Sequence, residues 1–168
     1  LTPGAEIAVS ESDLDEGRFS RFSLIRWWDQ NKIAATKVLV VGAGALGNEI
    51  IKNLALLGFR QVVVVDLDRV EHSNLSRSVL FRYEDIGKDK ALAAANAARL
   101  IYPEMAIQPL TANIMSGVGL GLFRWADVIL GGLDNREARL HINRAAWKMN
   151  RPWIDGAIEG INGVARVF

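Results

Sequence analysis

The stretch from Lys37 to Asp68 restricts the fold of this chain more than any other part of the sequence. Val38-Leu39-Val40-Val41 is an unbroken apolar run of strand length, the pattern of a parallel strand buried on both faces. Gly42-Ala43-Gly44-Ala45-Leu46-Gly47 follows at once, with the spacing G-x-G-x-x-G. Leu46, Ile50, Leu54 and Leu57 then repeat at helical spacing, Ile51 widens the stripe, and Gly58 stands where a helix-ending glycine belongs. Gln61 to Val65 reads as a second strand, closed by Asp66-Leu67-Asp68. The glycine spacing alone is weak evidence. Framed by a strand, a helix, a second strand and an acidic end, it reads as a mononucleotide-binding unit.

Each part of that unit has a physical task. The first two glycines let the backbone turn tightly and approach a phosphate, and the third lets the helix pack close to the strand. Free N–H groups at the helix start, with the helix dipole, favour an anion. A carboxylate at the end of the second strand, Asp66, suits ribose hydroxyls. A tight βα turn with no ligand is the plain alternative, and the whole unit argues against it.

The rest of the chain extends the same pattern. Leu1 to Gly17 is acidic, small-residue-rich and without period, and reads as a mobile leader. Arg18-Phe19-Ser20-Arg21-Phe22 opens a short helical segment with Phe22, Ile25 and Trp28 on one face. Trp27 and Trp28 cannot both point inward from a helix; either one meets a partner or both cover the sheet edge. Arg69 to Gly87 is a long polar loop of the kind that carries function. Lys88 to Tyr102 reads as an alanine-rich helix with Leu92, Ala95 and Arg99 on successive turns, stopped by Pro103. Ile107 to Leu110 is a third strand flawed by Pro109, and Gly117 to Gly121 starts a short helix or turn. Asp127 to Leu130 is a further buried strand leading into Asp134. The next helix, Arg136 to Asn150, offers Leu140, Ala145 and Trp147 as apolar surface. Pro152 to Ile154 and Gly163 to Phe168 are the last strands. This order predicts an α/β fold with a doubly wound, mainly parallel sheet, Rossmann-like, with ligands beyond the carboxyl ends of its strands.

Composition narrows the function. A net charge of +1 gives no bulk attraction to nucleic acid or to a membrane surface. No apolar run approaches the ~18 residues of a spanning helix, and the first residues do not resemble a signal peptide. Cysteine is absent, which excludes disulfides, thiolate metal sites and a cysteine nucleophile within this chain. These features point to the cytoplasm.

Taken together, the glycine turn, Asp66-Leu67-Asp68, Ser73-Asn74-Leu75-Ser76-Arg77, Gly87-Lys88-Asp89-Lys90 and Leu133-Asp134-Asn135 resemble the adenylation domain of ubiquitin-activating-type enzymes, the ThiF/MoeB-type family. Arg18-Phe19-Ser20-Arg21-Phe22 and the closing Gly163 to Phe168 are similar to the ends of that domain, so the resemblance spans residues 18–168. It implies activation of a carboxylate, the C-terminal glycine of a ubiquitin-like or sulfur-carrier protein, by ATP with Mg²⁺ and release of pyrophosphate. In that family pattern Gly42, Gly44, Ala45 and Gly47 pack on the nucleotide and Asp66 holds the ribose. Asn74, Arg77 and Lys90 surround the triphosphate, and Asp134 holds the metal. Asp68 assists the metal or fixes the loop. Arg21 matches an arginine that reaches the phosphates of a partner subunit, which implies a homodimer.

The sequence also departs from that family. Ser78 stands where glutamine is common after the arginine, and Ala45 where some members have glycine. Relatives continue past this point with a crossing loop, cysteines that bind zinc, and a cysteine that accepts the activated carrier. None of these is in this chain, so Zn²⁺ could enter only through a further C-terminal part, and adenylation without a thioester step is the expectation.

Other readings stay open at this point. By themselves Arg77 and Lys90 are two of twenty basic residues and fit solvated surface charge. Asp134 could cap the helix starting near Arg136, and Arg21 could pair with an acidic neighbour. His72 and His141 lack metal-like spacing. The glycine turn with Asp66 fits an NAD-dependent oxidoreductase equally well, although that leaves Asn74, Arg77, Lys90 and Asp134 without a task. A non-catalytic half of a heterodimeric activating enzyme is the third reading. A peptide or a modified tRNA base would also suit the chemistry; otherwise neither nucleic acid nor membrane is expected as a partner.

Overall fold

The computed structural model describes residues 17–159 and 161–168; the leader read from Leu1 to Gly17 therefore lies, but for Gly17, outside the described residues. Six strands form one sheet in the order β3-β2-β1-β4-β5-β6. These are β1 (Lys37–Val41), β2 (Gln61–Asp66), β3 (Ala106–Thr111), β4 (Val128–Gly131), β5 (Trp153–Glu159) and β6 (Asn162–Val167). The first five run parallel, and β6 returns antiparallel on β5. The sheet is thus mainly parallel and Rossmann-like, as the order of elements predicts.

Side-chain alternation on β1 divides the core. Val38 and Val40 face a layer that holds α2 (Ala45–Leu57) and α3 (Lys90–Ile101). Leu39 and Val41 face α4 (Leu120–Trp125) and α5 (Arg136–Met149). With both faces covered, β1 and β2 have no exposed position, and that requires their unbroken valine-rich runs. Pro109 is tolerated because β3 is an edge strand, where a missing N–H can face away from the sheet. Between β1 and β4 the chain reverses its direction of winding, and a crevice opens at their carboxyl ends.

Two helices bury other faces than the sequence reading assigns. In α3 the inward stripe is Ala91, Ala94, Ala95 and Ala98, while Leu92 is exposed. One residue of offset turns a helix by about 100°, and in an alanine-rich helix the small side chains win because they permit close approach. In α5 the buried positions are Ala138, Ile142, Ala145 and Ala146; Leu140 and Trp147 are exposed, Trp147 by 82%. Of the three residues assigned to that face, only Ala145 lies inward. In α2 the expected stripe holds at Ile51 and Leu54, which are buried with Gly47, Asn48 and Ala55, while Leu46, Ile50 and Leu57 lie at its margin.

The segment before β1 is a strap across the ends of α2 and α3. Arg18 donates to the Ile101 and Ala55 carbonyls near the C-termini of both helices, where a cation is favoured. Its guanidinium lies 5.0 Å from the Tyr102 ring centre. Phe22 packs on Trp28 with ring centres 4.7 Å apart. A short helix, α1 (Gln30–Ala35), leads from the strap into β1. Trp27 is 80% exposed, so the reading in which both tryptophans pack over the sheet edge does not hold.

Candidate functional site

Three backbones meet where β1 ends. Gly42 turns with φ +94°, and a Cβ there would lie 2.6 Å from the Gly132 carbonyl oxygen after β4. A Cβ on Gly47 would fall on the Gly42 carbonyl, and one on Gly132 would meet the Gly47 nitrogen at 2.9 Å. Gly42, Gly47 and Gly132 therefore pack β1, α2 and β4 together. Gly44 is different: its φ is ordinary, and a Cβ would touch nothing in the protein. Ala45 opens α2, whose first-turn N–H groups have no helical acceptor.

Gly42, Gly44, Ala45 and Gly132 line a cleft of about 520 Å³, well within the size range of small-ligand sites. Its walls include Gly42, Gly44, Ala45, Asp66, Asp68, Asn74, Arg77, Lys90 and Asp134. Residues from five separate stretches of the sequence are thus brought to one place. Gly47 is not on the cleft wall; its position is explained by packing against Gly42 rather than by ligand contact. Arg21 is exposed on the strap, in the 3-10 turn Ser20–Leu24, and does not line the cleft of its own chain.

Asp66 is tied on both oxygens. Oδ2 accepts the Ala43 N–H at 2.7 Å and Oδ1 accepts the Asp68 N–H at 2.8 Å. Each oxygen has a second lone pair for a ligand hydroxyl. Burial pushes the Asp66 carboxyl above its ordinary value, against the pull of those two N–H groups and of the Lys90 charge. Because the folded value is raised, this group favours the folded state below its unfolded pKa and loses that contribution as pH rises through the folded one. Hydroxyl binding has the opposite sign, since it needs the carboxylate. Nucleoside affinity measured from pH 7 down to 4 should weaken with a midpoint above the ordinary carboxylate value, and that step should be missing in Asp66→Asn. A flat wild-type profile would remove Asp66 from ligand binding.

Lys90 begins α3 and is fixed twice to Asp68, through its N–H to the Asp68 carbonyl and its Nζ to Oδ2, each at 2.9 Å. Asp68 thus holds the lysine at the cleft. Arg77 is exposed, with one guanidinium nitrogen on the Ser73 carbonyl at 2.6 Å. The Asn74 amide oxygen accepts the Glu71 N–H at 2.9 Å, while its Nδ2 has only a 3.5 Å contact with Ser73.

Asp134 does not cap α5. That task falls to Asn135, whose oxygen accepts from Glu137 N at 2.8 Å and Ala138 N at 3.3 Å. Among the described residues Asp134 has no hydrogen-bond or ion-pair partner, and it stands exposed at the rim. Asp66, Asp68 and Asp134 balance Arg77, Lys90 and Arg139 among the described lining residues, so the cleft has no net charge to attract a polyphosphate. Asp134, with no partner among the described residues, leaves a carboxylate free for a divalent cation. No group of three or more His, Asp or Glu suited to a metal occurs among the described residues. One carboxylate plus phosphate oxygens and water is a donor set that fits Mg²⁺.

Several lining or supporting residues have no motif to announce them. Arg139 donates to the carbonyls of Leu133 and Gly156 and pairs with Asp155 at 3.2 Å, bracing the loop that carries Asp134. Asn113, Ile114 and Met115 form the wall after β3. Asn48 is fully buried beneath the glycine turn. Only the polar type of Asn48 at an inward helix position could have signalled it.

Comparison with known proteins places the chain among relatives. The chain is 39% identical over 138 residues to SUMO-activating enzyme subunit uba-2 of Caenorhabditis elegans, covering 82% of this chain and 24% of that protein. It is 39% identical over 145 residues to the NEDD8-activating enzyme E1 catalytic subunit of Arabidopsis thaliana, covering 79% and 32%. Against the sulfur carrier protein adenylyltransferase of Thermus thermophilus the identity is 35% over 139 residues, covering 83% and 51%. The chain thus spans about half or less of these curated relatives. A crystal structure of E. coli MccB with AMPCPP and MccA shares the fold, with a TM-score of 0.81 at 23% identity over 95% of this chain and 51% of that one. The ThiF family pattern matches residues 17–168, and the chain belongs to the ThiF family.

Proposed function

We propose that the chain is an adenylation domain that uses ATP to activate the C-terminal carboxylate of a ubiquitin-like or sulfur-carrier protein. The observation that carries this reading is one cleft lined together by the glycine turn, Asp66, Arg77, Lys90 and Asp134, the last without a partner among the described residues. Relatives described as a sulfur carrier protein adenylyltransferase and as SUMO- and NEDD8-activating subunits support the same chemistry.

In the reaction a carboxylate oxygen attacks the α-phosphorus of ATP. A new bond forms between that oxygen and phosphorus, the bond to the β-phosphate bridging oxygen breaks, and the electron pair leaves with pyrophosphate. Asp66 orients the ribose by accepting its hydroxyls. The first-turn N–H groups of α2 face negative charge. Arg77 and Lys90 offset the charge that builds on the phosphoryl oxygens and on the leaving group. Mg²⁺, held through Asp134 and phosphate oxygens, would add positive charge at the same place. No proton has to be moved, because the nucleophile is already a carboxylate. The protein's task is placement and charge.

Pyrophosphate exchange into ATP, measured with a small carrier protein ending in Gly-Gly, tests the reading. Exchange that depends on the carrier supports it; none with any ubiquitin-like or sulfur-carrier protein, despite ATP binding, contradicts it. Arg21 has its own test, because it lies outside its own cleft. If two copies pair and Arg21 serves the partner's phosphates, mixing Arg21→Ala with Lys90→Ala chains should restore about a quarter of wild-type exchange, the share of intact sites in statistically paired dimers. No recovery, with subunit exchange confirmed, excludes that placement.

A further inference from the structure

Asn48 sits in the first full turn of α2 with no exposed surface. A buried carboxamide has both donors and an acceptor to satisfy. Asn48 does so across two segments that are distant in sequence. Its Nδ2 donates to the Ala43 carbonyl at 2.7 Å and to the Gly44 carbonyl at 3.1 Å. Its Oδ1 accepts the Leu80 N–H at 2.8 Å. Leu80 follows Arg77 by three residues, and with Phe81 it is buried in the core layer of α2 and α3.

Two consequences follow. The carbonyls of Ala43 and Gly44 are held inside, so the turn cannot flip them toward an anion in the cleft. The Arg77 loop, which lacks regular structure apart from short 3-10 turns, is fixed at Leu80 to the glycine turn itself rather than only to the hydrophobic core. Without Asn48 the arginine loop would keep its apolar packing at Leu80 and Phe81 but lose this hydrogen-bonded tie to the glycine turn.

We propose that Asn48 is a positioning residue that clamps the Arg77 loop to the glycine turn, so that the turn's N–H groups and the guanidinium face the same phosphates. Asn48 touches no ligand in this scheme and acts through Ala43, Gly44 and Leu80. The functional half of the proposal rests on the adenylation reading; the structural half does not.

The test uses the whole chain and begins with ATP-Mg binding by wild type. Amide hydrogen exchange is then compared between wild type and Asn48→Ala, with Asn48→Ser, whose short side chain lacks the amide oxygen that accepts the Leu80 N–H, in reserve should the alanine variant not fold. Loss of the clamp should speed exchange across residues 74–81 about tenfold and leave α5 at its wild-type protection. Unchanged protection at 74–81, or equal loosening of α5, overturns the clamp. The second arm is a double-mutant cycle in pyrophosphate exchange. Arg77→Ala should cost about 10²-fold in wild type but no more than a few-fold in the Asn48 variant, because the arginine there is already misplaced. Equal costs in both backgrounds overturn the positioning role. Absence of ATP binding by wild type removes the adenylation reading, and the amide-exchange arm still decides on the clamp.

Discussion

Asp134→Ala should lower pyrophosphate exchange by about 10²-fold or more while the protein keeps its fold. The two halves of that expectation have separate grounds. Asp134 is exposed at the cleft rim and has no partner among the described residues, so its removal leaves nothing unsatisfied. The capping of α5 belongs to Asn135, and Asn135→Ala should cost about 1 kcal/mol of stability. The proposed reaction, by contrast, calls for an acid to hold the cation, because the cleft's own described charges cancel. Undiminished exchange in folded Asp134→Ala would take this residue out of the mechanism. A large fall in thermal midpoint would show that its role is structural.

The second large effect separates two glycines of one motif. Gly47→Ala should destabilise the chain by about 3 kcal/mol, read as a lower urea midpoint. The added Cβ would fall on the Gly42 carbonyl, a backbone atom that cannot move without shifting β1 or α2. Gly44→Ser should leave stability within about 0.5 kcal/mol, since serine is a good N-cap and the backbone there is ordinary. Its side chain would project into open space on the cleft wall and should weaken ATP binding about tenfold by keeping phosphate from the turn. If Gly44→Ser binds ATP as wild type does, the turn is not where the nucleotide lies. If Gly47→Ala is as stable as wild type, the close packing of the three glycine backbones is not needed.

The sheet was readable because a strand covered on both faces must be apolar throughout, and Val38 to Val41 and Val62 to Val65 are. Gly58 could be read because a left-handed helix end, φ +86°, favours glycine. The buried faces of α3 and α5 were not readable in the same way. Hydrophobicity pointed to Leu92, Leu140 and Trp147, but close packing placed alanines, with Ile142 on α5, inward. In the cleft, residues whose chemistry is local to a motif could be named in advance. Residues whose role depends on a distant partner could not. Asn48 answers to Leu80, 32 positions away, and Arg139 to Gly156, 17 away; neither pairing has any pattern along the chain. Trp27 marks the opposite case: it is 80% exposed, and among the described residues its one aromatic neighbour is Trp28, with ring centres 6.0 Å apart.

The most direct measurement is calorimetric titration of the whole chain with ATP-Mg and, in parallel, with NAD. The glycine turn and Asp66 suit either nucleotide; in the proposed reaction Arg77, Lys90 and Asp134, on the wall of the same cleft, are assigned to the triphosphate and its cation. The expected result is saturable ATP-Mg binding in about the 1 μM–1 mM range, lost in Lys90→Ala and in Asp134→Ala, with no binding of NAD. Tight NAD binding with indifference to ATP-Mg would contradict an adenylation site.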